Sequence, residues 1–268
     1  MAERQITFLT DFGRDDVFVG LCHAVMATIA PTVPVADLTH QIPPQDVRSG
    51  AMVLADCVPY VPAAVHLAVV DPGVGSQRDG VVLVARQALL VGPDNGLLLP
   101  AARRLGGVTA AYRLSDPRFR ATRVSRTFHG RDIFAPAAAH LALGVDPPAF
   151  GEAIEVGRLV DLGVPVAKVG DGAITAPVRT IDRFGNVQLA ATTSDLAKAR
   201  LMAGQRLQLV TDQRSFAIRH VEIFADLERD ELGLIEDSFG WLAVVLDRDH
   251  AARRLQLKAF DTVRIVAS

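Results

Sequence analysis

Cysteine is almost missing from this chain: Cys22 and Cys57 are the only two in 268 residues. Each lies in an apolar stretch that reads as helix, which excludes a disulfide framework and predicts reduced core thiols. An excess of charge of one sign is also lacking. Lys plus Arg number 28 against 30 Asp plus Glu, for a formal net charge of -2. That balance argues against nucleic acid or an anionic membrane as the main partner. No uninterrupted apolar run reaches the ~20 residues of a membrane-spanning helix, and Met1 to Gln5 is polar, without the basic head and apolar stretch of an export signal. The expectation is a cytoplasmic protein. No His-x3-His, Cys-x2-Cys or carboxylate cluster suggests a metal cage. GxxxxGK[ST] is absent, as are a complete dinucleotide fingerprint and a nucleophile elbow.

What is present is a chain that is half hydrophobic by composition and changes character near its middle. The first 150 residues alternate β-rich runs with helical patterns, the signature of a parallel sheet covered by helices. Ile6–Thr10 reads as a first strand and Val33–Leu38 as a second. Ala64–Val70 reads as a third, apolar on both faces as a buried parallel strand requires. Between them, Val19, Cys22, Met26 and Ile29 recur at helical spacing until Pro31, with Asp15 or Asp16 as the expected cap, and Asp46–Tyr60 reads as a second helix. Val81–Ala85 and Leu89–Val91 read as a hairpin pair or two more strands, and Phe134–Leu143 as an Ala-rich helix. Pro and Gly punctuate Gly144–Pro165, which places a boundary near residue 160. The short strands beyond it predict a smaller antiparallel β-barrel or sandwich. The expectation is thus an α/β domain over 1–160 and a β-barrel domain over 165–268.

In open α/β sheets ligands bind beyond the carboxyl ends of the strands, and two strands end in acids there, Asp11 and Asp71. Asp71 opens Asp71-Pro-Gly-Val-Gly75-Ser76, whose glycines let backbone N–H groups approach a ligand. Phe128-His-Gly-Arg-Asp132 sets His129 in a loop before a helix, where a ring nitrogen of ordinary pKa near 6.5 suits proton exchange. Arg131 and Asp132 are expected to pair with each other or cap that helix, and His66 and His140 to pack within apolar stretches. In the second half, Ile181–Asn186 and Glu236–Trp241 read first as hairpin turns.

Taken in order, Thr10-Asp-Phe-Gly13, Asp71-Pro-Gly-Val-Gly75 with Arg78, Pro93-Asp-Asn-Gly-Leu-Leu98, Phe128-His-Gly-Arg-Asp132, Asp182-Arg-Phe-Gly-Asn186 and Ser238-Phe-Gly240 resemble the S-adenosyl-L-methionine hydroxide adenosyltransferase family, relatives of fluorinase and chlorinase that use water in place of halide. The resemblance implies an N-terminal α/β domain with a smaller β-barrel. It also implies a homotrimer whose sites lie between one subunit's first domain and its neighbour's second. It implies Asp71, Arg78 and His129 as catalytic, Asp11 on the ribose, and Asp16, Asp182 and Ser238 on the methionine moiety. Asn186 and Phe224 match adenine contacts. The halogenases resemble this chain less at two of these positions, having tyrosine where Asp71 and His129 stand, and fluorinase has a serine where Gly130 stands. Phe239 occupies a position that is arginine in fluorinase, and Gln188 one that is aromatic.

The reaction so implied is attack of activated water on the ribose C5′ of S-adenosyl-L-methionine, giving adenosine and L-methionine with no cofactor and no metal. Its leaving group departs as a neutral thioether, so one base suffices, and Arg78 supplies a fixed cation for the developing hydroxide. Asp71 and His129 are both candidate proton acceptors, and sequence does not choose between them. Competing readings are a halide-dependent, chlorinase-like adenosyl transferase, a non-catalytic nucleoside or S-adenosyl-L-methionine binding protein, and a metal-dependent hydrolase.

Overall fold

A computed structural model describes residues 4–201, 204–212 and 214–268. The chain divides into two compact units, Met1–Gly163 and Val164–Ser268.

The first unit is α/β. Its strands are β1 (Ile6–Thr10), β2 (Val35–Thr39), β3 (Val65–Val69), β4 (Gly80–Ala85), β5 (Leu89–Pro93), β6 (Val108–Arg113) and β7 (Ala153–Ile154), and its α-helices are α1 (Phe18–Ile29), α2 (Val47–Cys57), α3 (Leu99–Arg104) and α4 (Ala135–Ala142). One sheet runs β2-β1-β3-β5-β4-β6-β7. The sheet is mixed, where the sequence pattern predicts a parallel one. β2, β1, β3 and β5 are parallel neighbours, whereas β4, β6 and β7 pair antiparallel. The cause is local: Arg86-Gln-Ala88 is too short for a crossover, so β4 and β5 must form a hairpin.

Alternation along the strands explains the two cores. Phe8, Val65, Leu67 and Val69 face a layer built from Cys22 and Met26 of α1 and the alanines of α4. Leu9, Ala68 and Val70 face the opposite layer, with Met52 and Leu54 of α2 and Ala101 of α3. Successive side chains of a strand point to opposite faces, so a fully apolar strand needs cover on both. Each fully buried Leu or Phe contributes about 1.5–3 kcal/mol. Asp46 caps α2 by accepting the Ser49 N–H at 2.9 Å. α1 begins differently from expectation: its cap position is Val17, with no side-chain hydrogen bond, and Asp15 and Asp16 are both exposed.

The second unit contains β8 (Lys168–Gly170), β9 (Ala173–Ile181), β10 (Val187–Leu189), β11 (Arg206–Val210), β12 (Ser215–His220), β13 (Leu232–Glu236), β14 (Leu242–Leu246) and β15 (Thr262–Ala267), with the short helices α5 (Thr193–Lys198) and α6 (Ala251–Leu255). Seven strands close a barrel in the order β10-β14-β13-β12-β11-β15-β9, because β9 also pairs with β10. The length of β9 makes closure possible: Ala173–Pro177 pairs with β15 while Val178–Ile181 pairs with β10. One pairing departs from the antiparallel expectation. β12 and β13 run parallel, since segment 221–231 crosses between them rather than turning back. Ile174, Leu189, Leu207, Leu209, Leu234 and Val244 fill the interior.

Candidate active site

β1 and β3 lie side by side with Thr10 opposite Val69, so Asp11 and Asp71 leave the same edge of the sheet from adjacent strands. Chain order reverses at this point, because β2 lies beyond β1 on one side and β5 beyond β3 on the other. Such a reversal opens a crevice at the carboxyl edge.

Three sequence-nominated side chains meet there in one hydrogen-bonded unit. Arg78 Nε donates to Asp71 Oδ1 at 2.9 Å, and Arg78 Nη2 donates to Asp71 Oδ2, a two-point fork. The same Nη2 lies 2.8 Å from His129 Nδ1. A guanidinium has donors and no acceptor, so Nδ1 must be the unprotonated nitrogen. The imidazole is then neutral, with its proton on Nε2. Burial depresses the His129 pKa below the ordinary histidine value, and the Arg78 cation lowers it further against opposing pulls from Asp71 and Asp132. The Asp71 and Arg78 side chains are 6% and 11% exposed, so water screens their pairing little.

Local structure explains how segments so far apart in sequence meet. Asn95 Nδ2 donates to the Val70 carbonyl at 2.8 Å, tying the Pro93-Asp-Asn-Gly turn to the residue before Asp71. Gly75 has φ +79°, and a Cβ there would lie 2.3 Å from the Arg126 carbonyl oxygen. Only glycine lets the loop after Asp71 take that shape against the segment leading to His129. Gly130 is needed for a different reason: a Cβ would lie 2.9 Å from the Phe12 ring. Phe12, Phe18 and Phe128 form an aromatic cluster beside it, with ring centres 5.1–6.1 Å apart. The Arg78 guanidinium stands 5.1 Å over the Phe134 ring. Residues Gly130–Phe134 form a π turn that leads into α4. There Asp132 accepts from Arg131 Nε at 2.6 Å and from the Ser125 N–H at 2.7 Å.

Asp11 lies at the same edge, and its Oδ2 accepts the Gln45 N–H at 2.8 Å. Partial burial raises its pKa, with the Asp71 charge a smaller contribution in the same direction against the backbone hydrogen bonds. Asp16 is exposed before α1. His66 is fully buried, pairs through Nδ1 with Thr7 Oγ1 at 2.7 Å, and is pushed down to about 4 by burial.

The remaining nominated residues share a cleft of the second unit. Asp182, Asn186, Phe224, Ser238 and Phe239 line a volume of about 540 Å³. Asp182 shapes the turn between β9 and β10: Oδ1 accepts the N–H groups of Phe184 and Asn186, both at 2.9 Å, and Oδ2 accepts from Asn186 Nδ2 at 2.7 Å. Phe224 sits in the 221–231 crossover, and its ring is partly exposed. Gln188, noted above as standing in place of an aromatic, forms a pair here with Asp237, to which sequence reasoning gave no role. Gln188 is buried and donates from Nε2 to Asp237 Oδ2 at 2.6 Å, while Asp237 Oδ1 accepts the N–H groups of Phe239 and Trp241. A polar residue inside an otherwise apolar β10 was the available signal. Sequence also missed Gln45 and Asn95 as supports, since the Gln45 N–H and the Asn95 side-chain amide each serve a residue distant in sequence.

Residues 6–151 match the SAM hydroxide adenosyltransferase N-terminal domain, and residues 176–264 match its C-terminal domain. The chain is 48% identical over 265 residues to the (R)-S-adenosyl-L-methionine hydrolase of Salinispora arenicola, covering 98% of this chain and 97% of that protein. Similarity to a fluorinase from an Actinoplanes species is lower, 27% over 290 residues, covering 97% and 96% of the two chains. Among solved structures, an uncharacterized conserved protein from Thermotoga maritima superposes with a TM-score of 0.92 at 30% identity, covering 98% of this chain and 100% of that one. Both units of the chain therefore match one two-domain family in order, and the chain belongs to the SAM hydroxide adenosyltransferase family.

Proposed function

We propose that this chain hydrolyses S-adenosyl-L-methionine to adenosine and L-methionine, with Asp71, Arg78 and His129 activating the water that attacks ribose C5′. The observation that carries the assignment is the Arg78 guanidinium, hydrogen-bonded at once to the Asp71 carboxylate and to His129 Nδ1. Because Nδ1 is occupied as an acceptor, His129 offers water an N–H donor at Nε2 rather than a base. The proton then goes to Asp71, whose oxygens keep lone pairs beyond those used by Arg78. Arg78 stays protonated throughout and offsets the charge of the developing hydroxide. Loss of positive charge at sulfur favours the transition state, and no acid is needed for the departing thioether.

Water is favoured over halide as nucleophile by the same geometry. A halide would have to approach a buried carboxylate, which is electrostatically penalised. Asp11 is assigned to the ribose, and Asp16, Asp182 and Ser238 to the methionine moiety. Asn186 and Phe224 are assigned to adenine, and Phe239 closes the cleft near the methionine end. Ligand-type groups occur both at the sheet edge of the first unit and in the cleft of the second. That division supports a homotrimer in which different copies complete each site. The reaction as written needs no metal and no cofactor, and a cytoplasmic location suits its substrate.

Incubating purified protein with S-adenosyl-L-methionine in ¹⁸O-labelled water tests the reading. Adenosine and methionine should form together, with label in the adenosine. Label absent from adenosine, or product formed only with added halide, would overturn it.

A further inference from the structure

A second group of polar side chains at the sheet edge has no part in this reaction. His23 lies on α1, Asp37 on β2 and His40 just past the end of β2. No sequence spacing suggests a cage, yet the fold brings one donor atom from each within 4.8 Å of the others. Asp37 Oδ1 stands 2.8 Å from His23 Nε2 and 3.1 Å from His40 Nε2. Ligands that share one ion at about 2.0–2.2 Å must themselves be about 3 Å apart, so both separations already suit a common ion. His23 and Asp37 side chains are about one-third exposed and can adjust to bring the third separation in.

His40 gives the stronger indication. It is 2% exposed. Its Nδ1 faces inward, 2.9 Å from Thr10 Oγ1, which also accepts the Phe12 N–H at 3.1 Å. Its Nε2 is buried and, although close to Asp37 Oδ1, has no hydrogen-bond partner. A hydrogen bond would place the carboxylate oxygen on the axis of that nitrogen. A shared ion requires the opposite, with the ion on the axis and the oxygen beside it. A second hydrogen-bonding partner on the far ring nitrogen, here Thr10, is the usual companion of a metal-bound histidine.

We propose that His23, Asp37 and His40 form a binding site for a divalent ion of the zinc class, acting as a clamp and not as a participant in S-adenosyl-L-methionine cleavage. Two imidazole nitrogens with one carboxylate oxygen select zinc-like ions over magnesium or calcium, which prefer oxygen alone. Water completes the coordination on the exposed side. The ion ties α1 to the end of β2. Through His40 it also stiffens the segment that carries Asp11, because Thr10 holds the ring and the His40 carbonyl accepts the Gly13 N–H at 2.8 Å. The inference rests on these side chains and does not depend on which reaction the edge supports.

Chelator-treated full-length protein, titrated with Zn²⁺ by calorimetry and with Co²⁺ by visible absorption, provides the test. The wild type should bind one ion per chain, show d–d bands from nitrogen and oxygen ligands, and gain in thermal midpoint on zinc addition. His23→Gln, on a partly exposed side chain, should fold normally, bind at least tenfold more weakly and lose the thermal gain. Thr10→Val should weaken binding by about 10–100-fold, the usual cost of removing an outer partner. Absence of stoichiometric binding, or identical titrations for wild type and His23→Gln, would overturn the site. Cleavage activity that vanished on chelation and returned with zinc would overturn the clamp role.

Discussion

Arg78 Nη2 and His129 Nδ1 lie 2.8 Å apart, and because the arginine can only donate, this one contact fixes the histidine as a neutral ring protonated on Nε2. Burial and the Arg78 charge both hold its pKa below the ordinary histidine value. The folded state therefore binds this proton less readily than the unfolded chain. The resulting penalty on folding is absent at neutral pH, begins as pH falls through about 6.5, and is complete below the folded pKa. Activity is expected to hold level through neutral pH and fall only below the usual histidine range, as the ring charges and repels Arg78. In a pH–rate profile of kcat/KM, His129→Gln should remove this acid limb while keeping both an acceptor and a donor. A wild-type limb centred above 6.5 would contradict the assigned tautomer.

Asp71→Asn preserves shape and removes the proposed base. We expect a loss of about 10²–10⁴ in kcat with little change in KM, the range for a general base. His129→Ala should cost a comparable amount, and the double variant should be scarcely worse than either single one. Steady-state kinetics on the three proteins decide this. Additive losses would mean that the residues act independently.

Asp11 has one oxygen committed to the Gln45 N–H, and the proposed ribose role falls to the other. Asp11→Asn should weaken adenosine binding more than it slows turnover at saturation. Calorimetric titration with adenosine measures this directly, and unchanged affinity would reassign Asp11 to loop architecture.

Gly75→Ala tests how the Asp71 loop docks. With φ +79° and 2.3 Å between a new Cβ and the Arg126 carbonyl, no side-chain adjustment relieves the clash. A cost of about 1–3 kcal/mol is expected, read as a lower thermal midpoint together with reduced kcat, since the His129 segment must shift. Wild-type stability would show that the loop can move without cost.

Sedimentation should find a trimer. Mixing Asp71→Asn protein with Asp182→Ala protein should then restore part of the activity, because mixed trimers would contain sites with both residues intact. A fully active monomer at every concentration would rule this out.

The residue pattern alone determined much of this protein. Mostly apolar runs at Ile6–Thr10 and Val65–Val69, whose interior polar members Thr7 and His66 pair with each other, could be satisfied only by strands covered on both faces, and the acids that close them, Asp11 and Asp71, had to emerge at the sheet edge. The change to short strands after residue 160 likewise follows from alternation and turn chemistry. Other features depended on contacts between distant segments. Sequence reading placed neither β6 nor β13, because Gly106-Gly107 and Gly233 weaken the local signal and pairing partners supply the order. The parallel pairing of β12 and β13 was equally hidden, since it depends on the path of segment 221–231. Sequence put Asp71 and His129 forward as rival bases. The choice of Asp71 proposed here rests on Arg78, which the fold inserts between the carboxylate and Nδ1, and hydrogen-bond direction is a property of assembled geometry. The grouping of His23, Asp37 and His40 has the same origin: a helix and a neighbouring strand are brought face to face by packing, which no spacing along the chain encodes.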